Sequence, residues 1–242
     1  MARRFIIANW KMNPTNKEEA SALAAEVESQ LPESQADREV IVCPPFIYLQ
    51  SVRSVLNKSK LGSQDISCFE GGAYTGEVSG RQLYNMGVGY CIIGHSERRQ
   101  FIHETSEEIR AKLRTCLDNK MIPVLCVGGG LKASDDEATI RAMVRKQFNE
   151  GLDNSPIDVL LVTYEPTWAI GSGRTPDPDH VSRIAAFLRE QQDELHVKEM
   201  YILYGGSVNS HNASSFRDID GFLVGGASLD GHEFAEIVRA FK

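Results

Sequence analysis

The sequence predicts an α/β fold, a single (β/α)8 barrel spanning residues 1–242. Short runs rich in β-branched residues alternate along the chain with longer amphipathic stretches, which is typical of repeated strand–helix units. Several of the short runs are apolar throughout, as in parallel strands that are covered on both faces. Eight such units of about 30 residues fill the chain without a break in composition, and a barrel of this kind takes about 250 residues.

The predicted strands are short and follow one another at regular spacing. Leu160-Leu161-Val162 shows the pattern most clearly, because it has no polar residue on either face. Such a run fits a strand with the barrel interior on one side and helices on the other. In chain order the predicted strands are Arg4–Asn9, Glu39–Cys43, Lys60–Asp65, Tyr90–Gly94, Ile122–Val127, Asp158–Tyr164, Met200–Tyr204 and Gly221–Val224.

Helices are predicted between these strands from helical periodicity and start signals. Thr105-Ser106-Glu107-Glu108 places acidic residues in a first turn, and Pro178-Asp179 opens another. The predicted helices are Asn16–Gln30, Ser106–Asn119, Ala138–Asn149, Pro178–Glu194 and Gly231–Phe241, with short ones near Ser79–Met86 and His211–Phe216.

A doubly wound sheet is the alternative architecture. Its dinucleotide-binding fingerprint requires G-x-G-x-x-G after the first strand. Asn9-Trp10-Lys11-Met12-Asn13 stands there instead. The pattern therefore favours the barrel.

Composition and charge exclude several classes of function. The net charge of −7 argues against a nucleic-acid binder, which normally carries a basic face. No apolar run approaches the roughly 18 residues of a membrane span, and the apolar run at the N-terminus is too short for a signal peptide. The cysteines are odd in number and form no Cys-x-x-Cys pair, so we expect reduced thiols in a cytoplasmic protein. They are Cys43, Cys68, Cys91, Cys116 and Cys126.

Four polar or titratable residues fall at the carboxyl ends of predicted strands. Asn9 and Lys11 close the first strand, His95 follows the fourth, and Glu165 follows the sixth. Each alone is more often a solvated surface residue. Because the active site of a (β/α)8 barrel forms at this end of the strands, their shared position predicts one catalytic site.

The neighbours of His95 and Glu165 suggest proton-transfer chemistry. Ser96 is a plausible helix cap, and an imidazole at a helix N-terminus meets a positive dipole that favours its neutral form. Such a ring can donate a hydrogen bond to a carbonyl oxygen. Glu165 lies beside apolar residues, which suits a general base. Glu97 is expected to pair with Lys11 or with a nearby arginine.

Glycine-rich turns predict a phosphate site. Gly205-Gly206-Ser207 and Gly225-Gly226 end the last two strands, where phosphate sites of this fold form. Gly171-Ser172-Gly173 lies in Pro166–Pro176, whose composition suits a mobile lid. Glycine lets backbone N–H groups approach phosphate oxygens closely. Gly128-Gly129-Gly130 shows that such runs can also be plain loops.

Other chemistries lack their signatures. The sequence has no G-x-x-x-x-G-K-[ST] motif for nucleotide hydrolysis and no G-x-S-x-G elbow. The remaining histidines show no metal-ligand spacing, so solvated or helix-surface positions are expected for them, and no metal or cofactor is expected. They are His103, His180, His196, His211 and His232.

Six motifs, which run in order from the first strand to the last, resemble the triosephosphate isomerase family. The resemblance covers essentially the whole chain. The motifs are Ala8-Asn9-Trp10-Lys11-Met12-Asn13, Gly72-Ala73-Tyr74-Thr75-Gly76-Glu77, Ile93-Gly94-His95-Ser96-Glu97-Arg98-Arg99, Tyr164-Glu165-Pro166, Tyr204-Gly205-Gly206-Ser207-Val208 and Gly221-Phe222-Leu223-Val224-Gly225-Gly226-Ala227-Ser228.

The resemblance implies a TIM barrel that interconverts D-glyceraldehyde 3-phosphate and dihydroxyacetone phosphate, in glycolysis and gluconeogenesis, without cofactor or metal. It implies that Glu165 moves a proton between two carbons while His95, Asn9 and Lys11 stabilise the enediolate oxygens. It also implies a homodimer whose Cys68–Ser79 loop reaches into the partner's site. The residues implied for phosphate binding are Gly171, Ser207, Gly225 and Gly226.

The sequence departs from the family pattern at two positions near the lid. The family usually has glutamate where Gly129 stands, and this glutamate accepts a hydrogen bond from the lid tryptophan, here Trp168. Pro176 has no N–H at the second hinge, where the family tyrosine hydroxyl, here Tyr204, finds its partner. We therefore expect weaker lid closure than in relatives that keep both partners.

Two other functions remain open from the sequence. One is a phosphosugar aldolase that forms a Schiff base at Lys11, although Asn9 and Glu97 nearby favour a charged lysine. The other is a non-catalytic phosphate-binding barrel, against which the presence of Lys11, His95 and Glu165 argues.

Overall fold

Eight parallel strands form a closed barrel in chain order, with the eighth strand paired to the first. The computed structural model describes residues 3–33, 37–153, 155–169, 175–192 and 196–241. Every neighbouring pair of strands is parallel. The predicted (β/α)8 architecture is confirmed.

The observed strands agree closely with the predicted ones. The first, fifth and eighth have the predicted bounds, whereas the seventh extends further at both ends because it pairs along most of the sixth. The strands are β1 Arg4–Asn9, β2 Arg38–Cys43, β3 Lys60–Ser63, β4 Tyr90–Ile93, β5 Ile122–Val127, β6 Ile157–Tyr164, β7 Val197–Gly206 and β8 Gly221–Val224.

Capped helices connect the strands. Asn16 Oδ1 accepts the Glu19 N–H at 2.9 Å, and Thr105 forms a capping box with Glu108. In the described ranges the α-helices are α1 Lys17–Gln30, α2 Leu49–Arg53, α3 Gly80–Asn85, α4 Ser106–Asp118, α5 Glu137–Gly151, α6 Pro178–Arg189 and α7 Gly231–Ala240.

Two helical predictions differ from the structure, and one helix was missed. The α6 helix ends at Arg189 instead of Glu194, which lies outside the described residues. The short helix predicted near 211–216 is a single 3-10 turn at Ala213–Ser215. The α2 helix was not predicted, because five residues are too few to show helical periodicity.

The core has two layers that follow the alternation of side chains along each strand. One set of side chains fills the barrel interior, including Phe5, Ile7, Leu161 and Leu203. The alternate set packs between the barrel and the helices, as Ile6 and Val162 do. The apolar strand runs predicted this two-sided burial.

A cluster of buried ion pairs fixes the chain that follows β4. Lys112 Nζ lies 2.8 Å from Asp65 Oδ1 and also pairs with Glu104. Arg98 donates to the same two carboxylates, at 2.8 Å and 2.9 Å. Burial raises the pKa of Asp65, and the two cations oppose that shift by favouring the charged carboxylate. The cluster ties the end of β3 to α4 and to the π-helical turn Arg98–Ile102.

All five cysteines are free thiols, as the sequence predicted. Burial raises the pKa of Cys43, Cys116 and Cys126, which keeps them protonated. Within the described ranges, none of the helices has the length and apolar character needed to cross a bilayer.

Gly221→Ala tests the closure of the barrel. Gly221 pairs with Phe5 across the β8–β1 seam, and a Cβ atom on it would lie 1.7 Å from the Phe5 carbonyl oxygen. Because that oxygen belongs to a paired strand and cannot move aside, we expect a loss of about 3 kcal/mol in unfolding free energy. Urea denaturation measures the loss. Gly89→Ala, whose Cβ atom would have the Leu61 carbonyl oxygen, at 4.0 Å, as its one neighbour among the described residues, is the matched control, and equal stability of the two variants would contradict this account of the seam.

Candidate active site

The predicted catalytic residues converge on one cavity at the carboxyl end of the barrel. Asn9, Lys11, His95 and Glu165 line a space of about 260 Å³. The predicted phosphate-binding residues Ser207, Gly225 and Gly226 line the same space. Gly171 lies outside the described residues.

The end of β1 presents Lys11 in an unusual backbone conformation. Lys11 has a φ of 54°, and its N–H donates to Asn9 Oδ1 at 3.1 Å. Gln64 Nε2 donates a hydrogen bond to the Lys11 carbonyl oxygen at 2.8 Å. Lys11 Nζ forms an ion pair with Glu97, for which the sequence predicted either Lys11 or a nearby arginine as the partner. These contacts fix a cation at the mouth of the cavity.

His95 is held as a neutral ring by the backbone that follows it. The Glu97 N–H donates to His95 Nδ1 at 3.2 Å, so Nδ1 carries no proton and the ring proton is on Nε2. The nearer Glu97 carboxylate oxygen lies 3.6 Å from Nδ1, beyond hydrogen-bond distance. His95 is 6% exposed. Its Nε2–H therefore forms a fixed donor on the cavity wall.

Glu165 is a buried carboxylate that a backbone N–H holds beside His95. Its Oε2 accepts the Ser96 N–H at 3.0 Å, and its Oε1 lies 3.2 Å from His95 Nε2. Only 2% of Glu165 is exposed. Gly205 makes room for it, because a Cβ atom there would lie 2.9 Å from Glu165 Cγ.

The prediction that Ser96 caps a helix through its side chain was wrong. The Ser96 hydroxyl is buried and has no hydrogen-bond partner in the described part of the chain. The His95 carbonyl instead accepts the N–H groups of Arg98 and Arg99, at 2.8 Å and 3.2 Å. Ser96 contributes its backbone N–H, which holds Glu165.

The other end of the cavity is lined by backbone. Gly225 precedes a 3-10 turn at Gly226–Leu229, and no atom of the described residues lies within 4 Å of the Cβ position of Gly226. The open space above Gly226 lets an anion approach the main chain closely. Ser207 Oγ donates to the Ala169 carbonyl at 2.8 Å, next to the start of the predicted lid.

Side chains that sequence reasoning missed fix the loop that follows β5 and join it to the predicted lid. Gln147 on α5 accepts the Gly128 N–H at 2.8 Å and donates to the Gly129 carbonyl at 2.7 Å. Thr167 Oγ1 accepts the Gly130 N–H at 2.7 Å. Nothing in the sequence marks Gln147, because an amide on a helix face is common.

At the second hinge, Thr175 donates to the Ser207 carbonyl at 3.3 Å. The buried Tyr204 hydroxyl has no hydrogen-bond partner within the ranges that the structure describes. Among those residues, no group of three or more His, Cys, Asp or Glu side chains is placed to hold a metal ion.

Comparison with known proteins agrees with this geometry. The model of the triosephosphate isomerase family matches residues 4–241. This chain belongs to the triosephosphate isomerase family.

Individual relatives cover nearly the whole chain. A triosephosphate isomerase of Saccharopolyspora erythraea is 41% identical over 98% of this chain and 96% of its own length. One from Picosynechococcus is 40% identical over 98% of this chain and 99% of its own length. One from Alkaliphilus oremlandii is 36% identical over 99% of this chain and its entire length.

In this triosephosphate isomerase family member, a histidine contacts the residue that precedes Glu165. His180, at the start of α6, was predicted on the surface, but it is half-buried and its Nε2 lies 3.0 Å from the Tyr164 hydroxyl. The prediction was wrong because the fold packs α6 against the end of β6. Burial lowers the pKa of His180, and Arg183 adds to that shift, while Glu137 and Asp177 oppose it.

The lowered pKa of His180 predicts a loss of stability in acid. The folded state prefers the neutral ring, so the unfolded state binds more protons once the pH falls below about 6.5. The unfolding free energy should therefore decrease from that pH downward, through the lowered pKa. His180→Gln does not titrate and can still bond Tyr164, so its stability should decrease less between pH 7.5 and 5. Urea denaturation at both values measures this difference.

His232→Gln, at an exposed position in the first turn of α7, is the matched control and should follow the unmodified chain. Equal acid sensitivity of the His180→Gln variant and the unmodified chain would show that His180 does not contribute.

Proposed function

We propose that this protein catalyses the interconversion of D-glyceraldehyde 3-phosphate and dihydroxyacetone phosphate in glycolysis and gluconeogenesis. The observation that carries the proposal is the pairing of buried Glu165 with the neutral His95, 3.2 Å apart in a cavity with a glycine-lined opposite end. A base and a neutral donor side by side suit proton transfer next to a carbonyl group.

Each side chain has one role in the proposed reaction. The Glu165 carboxylate removes a proton from the carbon next to the carbonyl and returns it to the neighbouring carbon. The electron pair of the broken C–H bond moves to the carbonyl oxygen and forms an enediolate. A proton also passes from the hydroxyl oxygen to the former carbonyl oxygen, so that the new carbonyl group forms on the first carbon when Glu165 protonates the second. His95 Nε2–H and the Lys11 ammonium stabilise the negative oxygen, and Asn9 orients Lys11 through the hydrogen bond to its N–H.

The phosphate group is assigned to the glycine-rich end of the same cavity. Gly225 and Gly226 leave the main chain open to a phosphate oxygen, and Ser207 lies beside the first residues of the lid. Gly171, in the lid, is proposed to complete the site. Because the net charge is −7, Lys11 supplies the local positive field that an anionic substrate needs.

Neither alternative from the sequence gains support from the geometry. A Schiff base at Lys11 requires a neutral amine, but Lys11 Nζ is paired with Glu97. A non-catalytic phosphate binder has no need for a buried carboxylate beside a neutral imidazole.

Glu165→Gln tests the proposed base. The amide keeps the size of the side chain but accepts no proton, so the turnover rate should fall by about 10²–10⁴. A coupled assay that follows dihydroxyacetone phosphate measures the rate. Glu107→Gln, at an exposed position on α4, is the control and should keep full activity. If the turnover rate of Glu165→Gln falls by less than about tenfold, Glu165 is not the general base.

We also propose that the active form is a cytoplasmic homodimer. An apolar surface surrounds a cavity of about 430 Å³ that borders Lys11 and Glu97. Its exposed side chains include Met12, Phe101 and Ile102, which are 92%, 66% and 63% exposed. A surface this apolar is typical of a protein interface.

The proposed interface segment is the Cys68–Ser79 loop. The Ser67 N–H bonds the Val78 carbonyl at 3.0 Å and closes the base of the loop. At its tip, the partly exposed rings of Phe69 and Tyr74 stack with centroids 3.6 Å apart. A stacked aromatic tip of this kind fits into an apolar cavity on a second copy of the chain.

Light scattering tests the assembly. The protein should have twice the 26.8 kDa chain mass, and Met12→Asp, which buries a charge at the interface, should shift it toward the monomer. Lys132→Asp, at an exposed position away from this surface, should remain dimeric. A fully active monomer of the unmodified chain would contradict the proposal.

A further inference from the structure

The loop that follows β5, residues 128–130, contacts the main chain that carries Glu165. The Glu165 N–H donates to the Val127 carbonyl at 2.7 Å, directly before this loop. A Cβ atom on Gly128, whose φ is 100°, would lie 2.8 Å from the Glu165 carbonyl oxygen. The loop and the backbone of Glu165 are therefore close-packed, and a shift of one displaces the other.

The same loop packs against Ser96, the residue whose N–H holds the Glu165 carboxylate at 3.0 Å. A Cβ atom on Gly129 would lie 3.5 Å from the Cα atom of Ser96 and equally far from its Cβ atom. Gly128 and Gly129 thus touch both supports of Glu165. One is its own main chain, and the other is the residue that orients its carboxylate.

One side chain fixes this pair of glycines. Gln147, on α5, is 9% exposed. Its Oε1 accepts the Gly128 N–H at 2.8 Å, and its Nε2 donates to the Gly129 carbonyl at 2.7 Å. A planar amide that makes both bonds holds two consecutive residues in one orientation. Because glycine can adopt many backbone conformations, the shape of the loop depends on these two bonds.

We propose that Gln147 positions the general base, by fixing Gly128 and Gly129 and through them the place of Glu165 relative to Ser96. The inference rests on the proposed isomerase function, in which Glu165 transfers the proton. Glu165 lines the catalytic cavity, whereas Gln147 and the two glycines do not, so Gln147 is a positioning residue. Proton transfer depends steeply on distance, and a misplacement of about 1 Å from a remote change can cost about 10² in rate.

Gln147→Met tests the proposal. Methionine has a similar size but makes neither hydrogen bond, so kcat should fall by about 10–10². KM should change by less than about threefold, because the residues proposed to bind the substrate stay in place. The coupled assay gives both constants, and urea denaturation identifies conditions in which the variant is fully folded.

Gln191→Met is the matched control. Gln191 is also buried, and its amide donates to the Phe187 carbonyl at 3.2 Å, but it does not line the catalytic cavity. Its replacement removes a bond of the same kind from a part of the chain that does not touch Glu165. This variant should keep kcat and KM.

Gln147→Glu separates positioning from a purely structural role. A protonated carboxyl can accept from Gly128 and donate to Gly129, as the amide does, whereas a carboxylate has no donor for the Gly129 carbonyl. Burial and that carbonyl should raise the pKa of the new carboxyl above its ordinary value of about 4.3. The kcat of this variant, divided by that of the unmodified chain, should therefore rise from about pH 8 to about pH 5.5.

The charged groups near residue 147 are common to both proteins, so their own titrations cancel in this ratio. They are Arg99 and Glu104 after β4, and Lys146 and Glu150 on α5.

The proposal is overturned if folded Gln147→Met keeps kcat within about twofold, or if its loss appears only in KM. A ratio for Gln147→Glu that does not rise in acid overturns it as well. An unmodified chain without isomerase activity would instead overturn the proposed function, and this inference with it. An active unmodified chain with any of the earlier results overturns this inference alone.

Discussion

The pairing of β8 with β1 is the contact on which the site depends. It closes the barrel and brings Asn9, which ends β1, and Lys11, which follows the strand, beside Gly225, which follows β8. The site thereby combines a cation and an exposed stretch of main chain from opposite ends of the sequence. The close approach of Gly221 to the Phe5 carbonyl shows how little space the seam leaves. A slip of one residue there would turn every side chain of β1 to the other face and remove Asn9 from the cavity.

The chain that follows β4 organises the charges of the site. Its backbone determines which nitrogen of His95 carries the ring proton. The Glu97 N–H donates a hydrogen bond to Nδ1, so the proton is on Nε2. The same backbone also holds the carboxylate that we propose as the catalytic base, because the Ser96 N–H donates to Glu165. The ion pairs among Asp65, Glu104, Arg98 and Lys112 hold the segment after β4 against α4 and the end of β3. Preorganised donors of this kind need no rearrangement when negative charge develops on a substrate oxygen.

The sequence predicted the architecture and most of the site because both depend on local patterns. Apolar runs located the strands within a few residues, and strand ends located Lys11, His95 and Glu165. What it could not predict depends on contacts between distant elements. The hydrogen bonds of Gln147 depend on how α5 packs, and the burial of His180 against Tyr164 depends on how α6 packs. The unpaired hydroxyl of Ser96 likewise depends on how the turn after β4 packs. Neither helical periodicity nor residue type indicates such contacts, which join residues far apart in the chain.

The central claim is that Glu165 transfers a proton between two carbons of a triose phosphate beside a neutral His95. The most direct measurement follows the isomerisation of D-glyceraldehyde 3-phosphate in ²H₂O by NMR. A carboxylic acid that exchanges its proton with solvent should deliver deuterium to a carbon of the dihydroxyacetone phosphate formed. No product at all, or deuterium incorporation at an undiminished rate in the Glu165→Gln variant, would contradict the account.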